Sequence, residues 1–362
     1  MPRGMKSTSK AGAGKRGGAA RATLGDVARE AGVSRATVSR ALNDNPVISE
    51  PVRKRIRKVA DRLGYRPDPE VARLLGYLKR SRRVRTESVV AVLNAYNPPE
   101  RMRAEPYTQR LLQGARKRAE ELGYVLDELP LYSEGMTPRR FDQILRARGI
   151  KGLLVPPEPE PLFRAGIDWS AVAAVATTTT AQPLDLHRVL PHNHANMERV
   201  IEAALARGYR RIGLIYWPIL EERQMNAATS VLGWYARVAG RCAPLAMLEW
   251  DWKLGGPKLD ARLSAWVKKT RPDIVLGFGD YLRERLQQVC GLRVPEDVGY
   301  LSYAETTPGV AHLDQNPEAV GGAALDLLSA QIHRGEAGVP ATPKTILVGG
   351  RVVEGATLRK VG

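Results

Sequence analysis

A chain of 362 residues is longer than a comfortable single domain, and 43% hydrophobic with 26% charged residues is typical of a folded globular protein. Its net charge of +18 is uneven, because residues 1–85 hold 22 Lys and Arg against 7 Asp and Glu, or +15. Two cysteines, Cys242 and Cys290, and the lack of a long apolar segment exclude a disulfide scaffold and a membrane-spanning protein. We expect a cytoplasmic protein with a small basic module and a larger, nearly neutral one. The basic module indicates nucleic-acid binding, although a solubilising tail would have the same charge.

Residues 1–21 are basic and of low complexity, which predicts a disordered tail. Residues 22–67, named the headpiece here, carry signals for three short helices. Thr23 can cap a helix over 24–31 that ends at Gly32, and Ser34 can cap a second over 35–42. Ser49 begins a third, which ends at Gly64. Residues 68–86 form a basic hinge and linker.

The first two headpiece helices have the spacing of a helix-turn-helix, in which the second helix enters the major groove of DNA. That helix is expected to expose Arg35, Ala36, Ser39 and Arg40. Arg can pair bidentately with guanine, and Ser and Thr hydroxyls can reach phosphates. Helical spacing alone would also suit a small bundle with a solvated basic face.

The order of residue types is more specific than the spacing. The runs Asp26-Val-Ala, Ala31-Gly-Val-Ser34, Thr37-Val-Ser-Arg40 and Leu63-Gly-Tyr-Arg-Pro67 closely resemble the lac repressor (LacI/GalR) family. The resemblance implies a sequence-specific transcription regulator that reads bases with Arg35, Ala36 and Arg40. It also implies phosphate contacts by six residues, namely Thr23, Ser34, Thr37, Ser39, Asn43 and Tyr65.

The same resemblance implies a hinge helix whose leucine enters the minor groove and bends the duplex. Counting on from Pro67 assigns this role to Leu74. Pro69 and Glu70 depart from the usual hinge pattern, so Leu75 is a second candidate. Simple helix packing would also explain both leucines.

From residue 87 to 362, short apolar runs alternate with amphipathic helices, which predicts an α/β body with two mostly parallel sheets. The predicted strands are 89–93, 152–155, 171–176, 212–216, 274–278 and 298–303, and the predicted helices are near 107–122, 196–207, 224–238, 281–289 and 317–334. Resemblance to the same family continues at Arg207–Leu214, Val294–Gly299 and Gly350–Gly355. It implies a periplasmic-binding-protein-like type I sensor domain with two doubly wound parallel-sheet subdomains, an effector cleft between them, and a homodimer that suits a two-fold DNA site.

The cleft departs from sugar-binding relatives, because Gly279, Ala304 and Ala228 stand where those relatives commonly have Asn, Asp and Arg. A carbohydrate is still the favoured effector, with Asp280 as hydrogen-bond acceptor and Trp217 as a stacking surface. The candidate effector-binding residues are Asn94, Tyr96, Trp217, Arg223, Asp280, Tyr303 and Gln315. The run Pro191-His-Asn-His194 favours a loop at the cleft mouth over a metal site, because no cluster of further ligands accompanies it.

Three other classes compete with a regulator. An enzyme could use the same body, but no phosphate loop, nucleophile elbow, cofactor motif or metal cluster is found, so we expect neither catalysis nor a cofactor. An extracytoplasmic sugar-binding protein would need a signal peptide instead of a headpiece. A nonspecific nucleoid protein would leave the sensor domain unexplained. We therefore expect a homodimeric regulator of a pseudo-palindromic operator. Repression is favoured over activation.

Overall fold

The computed structural model describes residues 23–42, 48–65, 88–157, 166–180, 185–243, 246–304 and 307–361. The chain divides into two compact units, Met1–Thr86 and Glu87–Gly362. Several predicted features lie outside the described residues: the tail 1–21, the linker 68–86, and the side chains of Asn43, Leu74 and Leu75. The domain boundaries therefore stay predictions.

The described part of the first unit consists of three helices, α1 (Leu24–Ala31), α2 (Arg35–Leu42) and α3 (Glu50–Arg62). The predicted bounds of the first two helices are confirmed. Gly32 ends α1 in the left-handed conformation at φ 65°, which glycine adopts without steric cost. The three helices enclose one small core whose buried residues are Val27, Ala28, Ala31, Val38, Ala41, Ile56 and Ala60.

The second unit begins with a run of alternating strands and helices. In its first half these are β1 (Ser88–Asn94), α4 (Arg101–Ala104), α5 (Pro106–Leu122), β2 (Tyr124–Pro130), α6 (Pro138–Ala147), β3 (Gly152–Val155), β4 (Ala173–Ala176) and β5 (His187–Pro191). Its second half contains α7 (Asn193–Ala206), β6 (Ile212–Tyr216), α8 (Pro218–Arg223), α9 (Ala227–Arg237), β7 (Ala246–Glu249), α10 (Gly256–Thr270), β8 (Ile274–Gly277), α11 (Gly279–Cys290), β9 (Gly299–Ser302), β10 (His312–Asp314), α12 (Pro317–Arg334), β11 (Thr345–Val348) and β12 (Arg351–Val353).

These strands form two sheets. The first has the order β11-β5-β4-β3-β1-β2 and the second has the order β12-β10-β9-β8-β6-β7. The described pairs are parallel except for β10 with β12. The predicted α/β class with two mostly parallel sheets is confirmed.

The chain crosses between the sheets three times, at β5 to α7, β10 to α12, and β11 to β12. Helix α12 returns to the first sheet, where it packs with α5 over the strands. The backbones of these two helices approach closely because glycine stands at each side of their contact. A β-carbon at Gly114 would overlap the Glu318 carbonyl, and one at Gly321 would overlap the Leu111 carbonyl.

The predicted helix near 224–238 is confirmed as α9 (Ala227–Arg237), which begins three residues later than predicted. Met225 and Asn226 have φ of 58° and 56° and separate it from α8, which ends at Arg223. Left-handed residues cannot continue a right-handed helix, so α9 begins only after them. Within the described residues, no helix has both the length and the apolar character needed to cross a membrane.

Candidate DNA-binding and effector-binding sites

Helix α2 carries the predicted DNA-reading side chains. Val38 and Ala41 are buried in the headpiece core, whereas Arg35 and Arg40 are exposed. The guanidinium of Arg35 lies close to Gly25 on α1. The side chains of the two other predicted contacts on α2, Ala36 and Ser39, lie outside the described part of the chain. Two arginines are thus presented on the face opposite to the core, in positions where they can reach a ligand without unfolding the headpiece.

The start of α2 is held by a short polar contact. The backbone N–H of Thr37 donates to the Ser34 hydroxyl oxygen at 3.1 Å, and the two hydroxyl oxygens lie 2.9 Å apart. Ser34 is therefore the N-cap that its position predicted. In this conformation the Ser34 oxygen accepts from the helix, but its exposed position leaves room for a further contact to a phosphate.

The start of α1 is held by a reciprocal cap. The Asp26 N–H donates to the Thr23 hydroxyl oxygen at 3.3 Å, and the Thr23 N–H and hydroxyl donate to the Asp26 carboxylate at 2.9 and 2.6 Å. The Thr23 hydroxyl thus already donates its proton to the Asp26 carboxylate. Tyr65, another predicted phosphate contact, is half-buried against the headpiece core.

In the second unit, two of the predicted effector-binding residues lie at the end of β1 and are buried: Asn94 is the last residue of the strand, and Tyr96 comes two residues after it. Asn94 donates from Nδ2 to the Pro99 carbonyl at 3.0 Å and to Glu128 Oε1 at 2.8 Å. Its Oδ1 accepts from the Tyr96 N–H at 3.1 Å. The contacts of Asn94 therefore shape the loop after β1 in this conformation. They do not present a free amide.

Tyr303 and Gln315 meet at the carboxyl ends of β9 and β10. The Tyr303 hydroxyl donates to the Ile215 carbonyl at 3.2 Å, and Gln315 Nε2 donates to the Tyr303 carbonyl at 3.4 Å. Burial, with smaller contributions from neighbouring groups, raises the pKa of Tyr303 well above its usual value, so this hydroxyl stays protonated. Phe278 joins Tyr303 to Trp217, with ring centroids 6.3 and 6.4 Å apart. Three of the predicted residues are thus brought together.

Asp280 lies in the first turn of α11, where a carboxylate suits the positive end of the helix dipole. It accepts from the Thr307 N–H at 3.2 Å and from the Thr307 hydroxyl, and lies 3.5 Å from Arg283 Nε. Arg223 is exposed, and its carbonyl accepts from the Thr179 hydroxyl at 2.8 Å. That bond joins the end of β4 in the first sheet to the end of α8 beside the second.

A cavity of about 280 Å³ lies between α7 and α9 and is lined by His194, Glu198, Ser230, Val231 and Trp234. Trp234 is 52% exposed, and His194 Nε2 lies 3.5 Å from the Ser230 hydroxyl oxygen. The predicted pocket contains none of these residues. The signal that could have found them is an apolar-rich helix carrying a tryptophan on its solvent side.

The His-Asn-His run is placed at the start of α7. His192 Nδ1 accepts from the Ala195 N–H at 3.3 Å and so caps the helix. Across the described ranges, no group of three or more His, Cys, Asp or Glu side chains is arranged to hold a metal ion. The expected loop is wrong, because His192 caps α7 and His194 lies in its first turn, where it lines the cavity.

Two family models match the chain. "Bacterial regulatory proteins, lacI family" matches residues 23–68, and "Periplasmic binding protein-like domain" matches residues 201–358. Catabolite control protein A of Streptococcus mutans is 50% identical over 76 residues, which is 20% of this chain and 21% of that protein. The regulator PtxS of Pseudomonas putida is 28% identical over 55% of each chain. The chain thus spans about a fifth and about half of these two relatives. The regulator CelR of Thermobifida fusca is 27% identical over 83% of this chain and 89% of its own length.

Solved structures share the fold. A "transcriptional regulator CelR-cellobiose complex" has a TM-score of 0.56 at 20% identity and covers 93% of this chain and all of its own. A lac repressor dimer bound to operator and an anti-inducer has a TM-score of 0.53 at 19% identity, covering 93% of this chain and 99% of that one. The helix-turn-helix, the two parallel sheets and the two matching family models agree. The chain therefore belongs to the lacI family of bacterial regulatory proteins.

Proposed function

We propose that this DNA-binding regulator recognises a pseudo-palindromic operator as a homodimer and that a small molecule bound in its second unit changes operator affinity. Repression is the favoured sign. The proposal includes a cytoplasmic location, since operator DNA is there, and a role without catalysis. Its two halves rest on different observations.

The observation that carries the DNA-binding half is the exposed face of α2. Arg35 and Arg40 are exposed while Val38 and Ala41 of the same helix are buried. A guanidinium can pair with O6 and N7 of guanine at once, which is the commonest base-specific contact in the major groove. We assign base reading to Arg35, Ala36 and Arg40.

Contacts to phosphates would supply most of the affinity and little of the specificity. The net charge of +15 over residues 1–85 supports such contacts. We assign phosphate binding to Thr23, Ser34, Thr37, Ser39, Asn43 and Tyr65, and the minor-groove wedge to Leu74 or Leu75. Both the hydroxyl and the backbone N–H of Thr23 donate to Asp26, so a phosphate contact by Thr23 would have to share one of these donors with that carboxylate.

A homodimer would match the proposed two-fold symmetry of the operator. Two copies related by a two-fold axis place two recognition helices in successive major grooves on one face of the duplex. The lac repressor structure that shares this fold is described as a dimer bound to operator.

A carbohydrate is the effector class that the second unit supports best. The cavity between α7 and α9 combines the exposed Trp234 with hydrogen-bonding groups of Glu198, His194 and Ser230. An aromatic face and a few polar groups are the usual means of orienting a sugar-sized ligand. The CelR structure is described as a cellobiose complex. The other effector-contact candidates are Asn94, Tyr96, Trp217, Arg223, Asp280, Tyr303 and Gln315, of which Trp217 and Asp280 are half-buried and Arg223 is exposed.

The test is operator binding by the full chain and its Arg40→Ala variant. An operator selected from random duplexes and a scrambled duplex are titrated by fluorescence anisotropy at fixed salt. We expect Arg40→Ala to weaken the selected site by about 1–3 kcal/mol and to relax preference at one base pair per half-site. The scrambled duplex should lose little affinity.

Lys54→Ala is the matched control, because it removes the same charge from exposed α3. It should weaken both duplexes alike. Equal weakening of both duplexes by Arg40→Ala would show that Arg40 contacts phosphate and not a base. The same assay with wild-type protein and a panel of mono- and disaccharides tests the effector half. That half is wrong if no small molecule changes operator affinity.

A further inference from the structure

The three crossings between the sheets of the second unit touch one another. Asn196, in the first turn of α7, accepts at Oδ1 from the Gly350 N–H at 2.7 Å, and Gly350 lies between β11 and β12. A β-carbon at Gly350 would overlap the Asp314 carbonyl, at the end of β10. The three crossings between the two sheets thus form one compact set of contacts.

A buried carboxylate lies at this point. Asp314 is 5% exposed, and its Oδ1 accepts from the Asn316 N–H at 3.0 Å and from Arg110 Nη2 at 3.0 Å. Its other oxygen accepts from Arg351 Nε at 3.3 Å. Burial raises the pKa of Asp314, but the hydrogen bonds from Asn316 and Arg110 and the two nearby guanidiniums outweigh it and hold the pKa below its usual value. The side chain is therefore a charged acceptor at neutral pH.

Arg110 ties that carboxylate to the other sheet. It lies on α5, which packs over the first sheet, whereas β10 belongs to the second sheet. Its Nε also donates to Glu318 Oε1 at 2.7 Å, which fixes the guanidinium over the start of α12. A charge-assisted pair with a buried partner has a preferred geometry, which a change in the orientation of one sheet against the other would disturb.

A second arginine on α5 provides the contrast. Arg118 Nε donates to Asp326 at 2.7 Å, and Asp326 also lies on α12. The two helices that this pair joins, α5 and α12, both pack on the first sheet, and the Asp326 side chain is 52% exposed. This pair joins the same two helices but does not reach the second sheet.

We propose that Asp314 is a positioning residue for the effector response: its pair with Arg110 latches the two sheets in the orientation described above. A ligand that favours a different orientation would have to work against this latch, which sets how far the unliganded protein populates the other state. The link to the effector rests on the proposed function. The latch itself does not.

The experiment measures the orientation directly, without DNA or effector. Spin labels are placed at Arg139→Cys on α6 and Lys269→Cys on α10, both exposed, in the full chain with Cys242→Ser and Cys290→Ser. Double electron–electron resonance then gives the distance distribution between the first-sheet and second-sheet sides. We expect one dominant distance in this parent, and a second population or a shifted mean in its Asp314→Asn and Arg110→Gln variants.

Arg118→Gln is the control and should keep the parent distribution, while Asp314→Glu should restore part of the dominant population. Arg110 is 30% exposed, so Arg110→Gln is the variant that tests the latch if Asp314→Asn fails to fold. Parent-like distributions in the folded Arg110→Gln variant would overturn the proposal. Equal broadening in Arg118→Gln would also overturn it, because the effect would then be general loosening of α5. Neither result bears on operator binding, so failure here is distinct from failure of the proposed function.

Discussion

The two compact units differ in how their stability is distributed. The described part of the headpiece has one small core built from three short helices. The second unit has four clusters of buried residues on both faces of two sheets. A small core buries little surface, so single side chains and helix caps decide whether it folds. In the larger unit a single lost contact is a small fraction of the total, and the fit of backbone to backbone matters more.

The largest effect is expected in the headpiece core. Ile56 is fully buried between the three helices. Ile56→Ala removes three carbon atoms and leaves a cavity, which costs about 2–5 kcal/mol. We expect residues 23–65 to lose most of their protection from amide hydrogen exchange in the full chain, measured by mass spectrometry. Residues 88–361 should keep theirs.

Asp61→Ala, on the same helix but exposed, is the control and should leave exchange in the headpiece unchanged. If Ile56→Ala left headpiece protection as in the wild type, the small core would not be what holds these helices together. If both units lost protection together, they would not be independent in stability.

The same difference explains what could be predicted from the sequence. In the headpiece, caps and a glycine stop are local signals, and they located α1 and α2 to the residue. The helix-turn-helix pattern predicts Arg35 and Arg40 on the exposed face, where the structure has them. Ser49 correctly predicts where α3 begins, yet its side chain makes no cap hydrogen bond. A favourable residue type shows where a helix can begin, but not which atom satisfies its first N–H groups.

In the second unit six of the buried strands are predicted as apolar runs, whereas the buried strand β5 and several other elements are not. Strands β3 and β6 have the predicted bounds because they are continuous apolar runs. Strand β2 was missed, because it is an edge strand with Asp127 and Glu128 in its middle. Helices α6 and α10 were missed as well. A polar edge strand shows weaker alternation than a buried one, but α6 is strongly amphipathic with Phe141 and Leu145 buried, so its pattern could have been recognised.

The candidate effector site was the least predictable feature. Asn94 ends a buried strand and Gln315 follows one, as ligand-binding residues often do. Their amide groups, however, already donate hydrogen bonds to neighbouring backbone and side chains. His194 and Trp234 line a cavity because α7 and α9 pack side by side. That packing joins positions 40 residues apart, and no local pattern encodes it.

Backbone fit is tightest in the larger unit where α12 contacts α5. Gly321→Ala would force a methyl group into the Leu111 carbonyl where α12 contacts α5. Overpacking of this kind costs about 1–3 kcal/mol. We expect a lower midpoint for thermal unfolding of the second unit, followed by circular dichroism.

Gly322→Ala is the matched control, since its nearest neighbours would be 3.9 Å away or more. Replacing a helical glycine by alanine there should stabilise by about 0.5–1 kcal/mol. The two adjacent substitutions should therefore have opposite signs. Equal changes in the unfolding midpoint for the two variants would mean that α5 and α12 shift apart without cost. The close backbone contact would then not limit the stability of this unit.

The smallest effect is expected at the headpiece caps. Thr23→Ala removes the hydroxyl that accepts from the Asp26 N–H, and losing such a cap costs about 0.5–2 kcal/mol. Ser49→Ala should cost nothing measurable, because Ser49 occupies the N-cap of α3 without a side-chain bond. Amide exchange over α1 and α3 in the full chain distinguishes the two. If Ser49→Ala reduced amide protection as much as Thr23→Ala, the residue type at the N-cap would stabilise these helices, and the observed hydrogen bond would not.

Acid should weaken the same cap. The hydrogen bond from the Thr23 hydroxyl, then the one from its N–H, lowers the pKa of Asp26 in the folded headpiece below the unfolded value. A carboxylate with a depressed pKa stabilises the fold fully above the unfolded pKa and loses that contribution as pH falls through the folded pKa. The difference in α1 exchange between wild type and Thr23→Ala, corrected for intrinsic rates, should therefore shrink as pH approaches that range from neutrality. A difference that stayed constant throughout would assign the cap to the Thr23 oxygen alone and leave the Asp26 charge without a role.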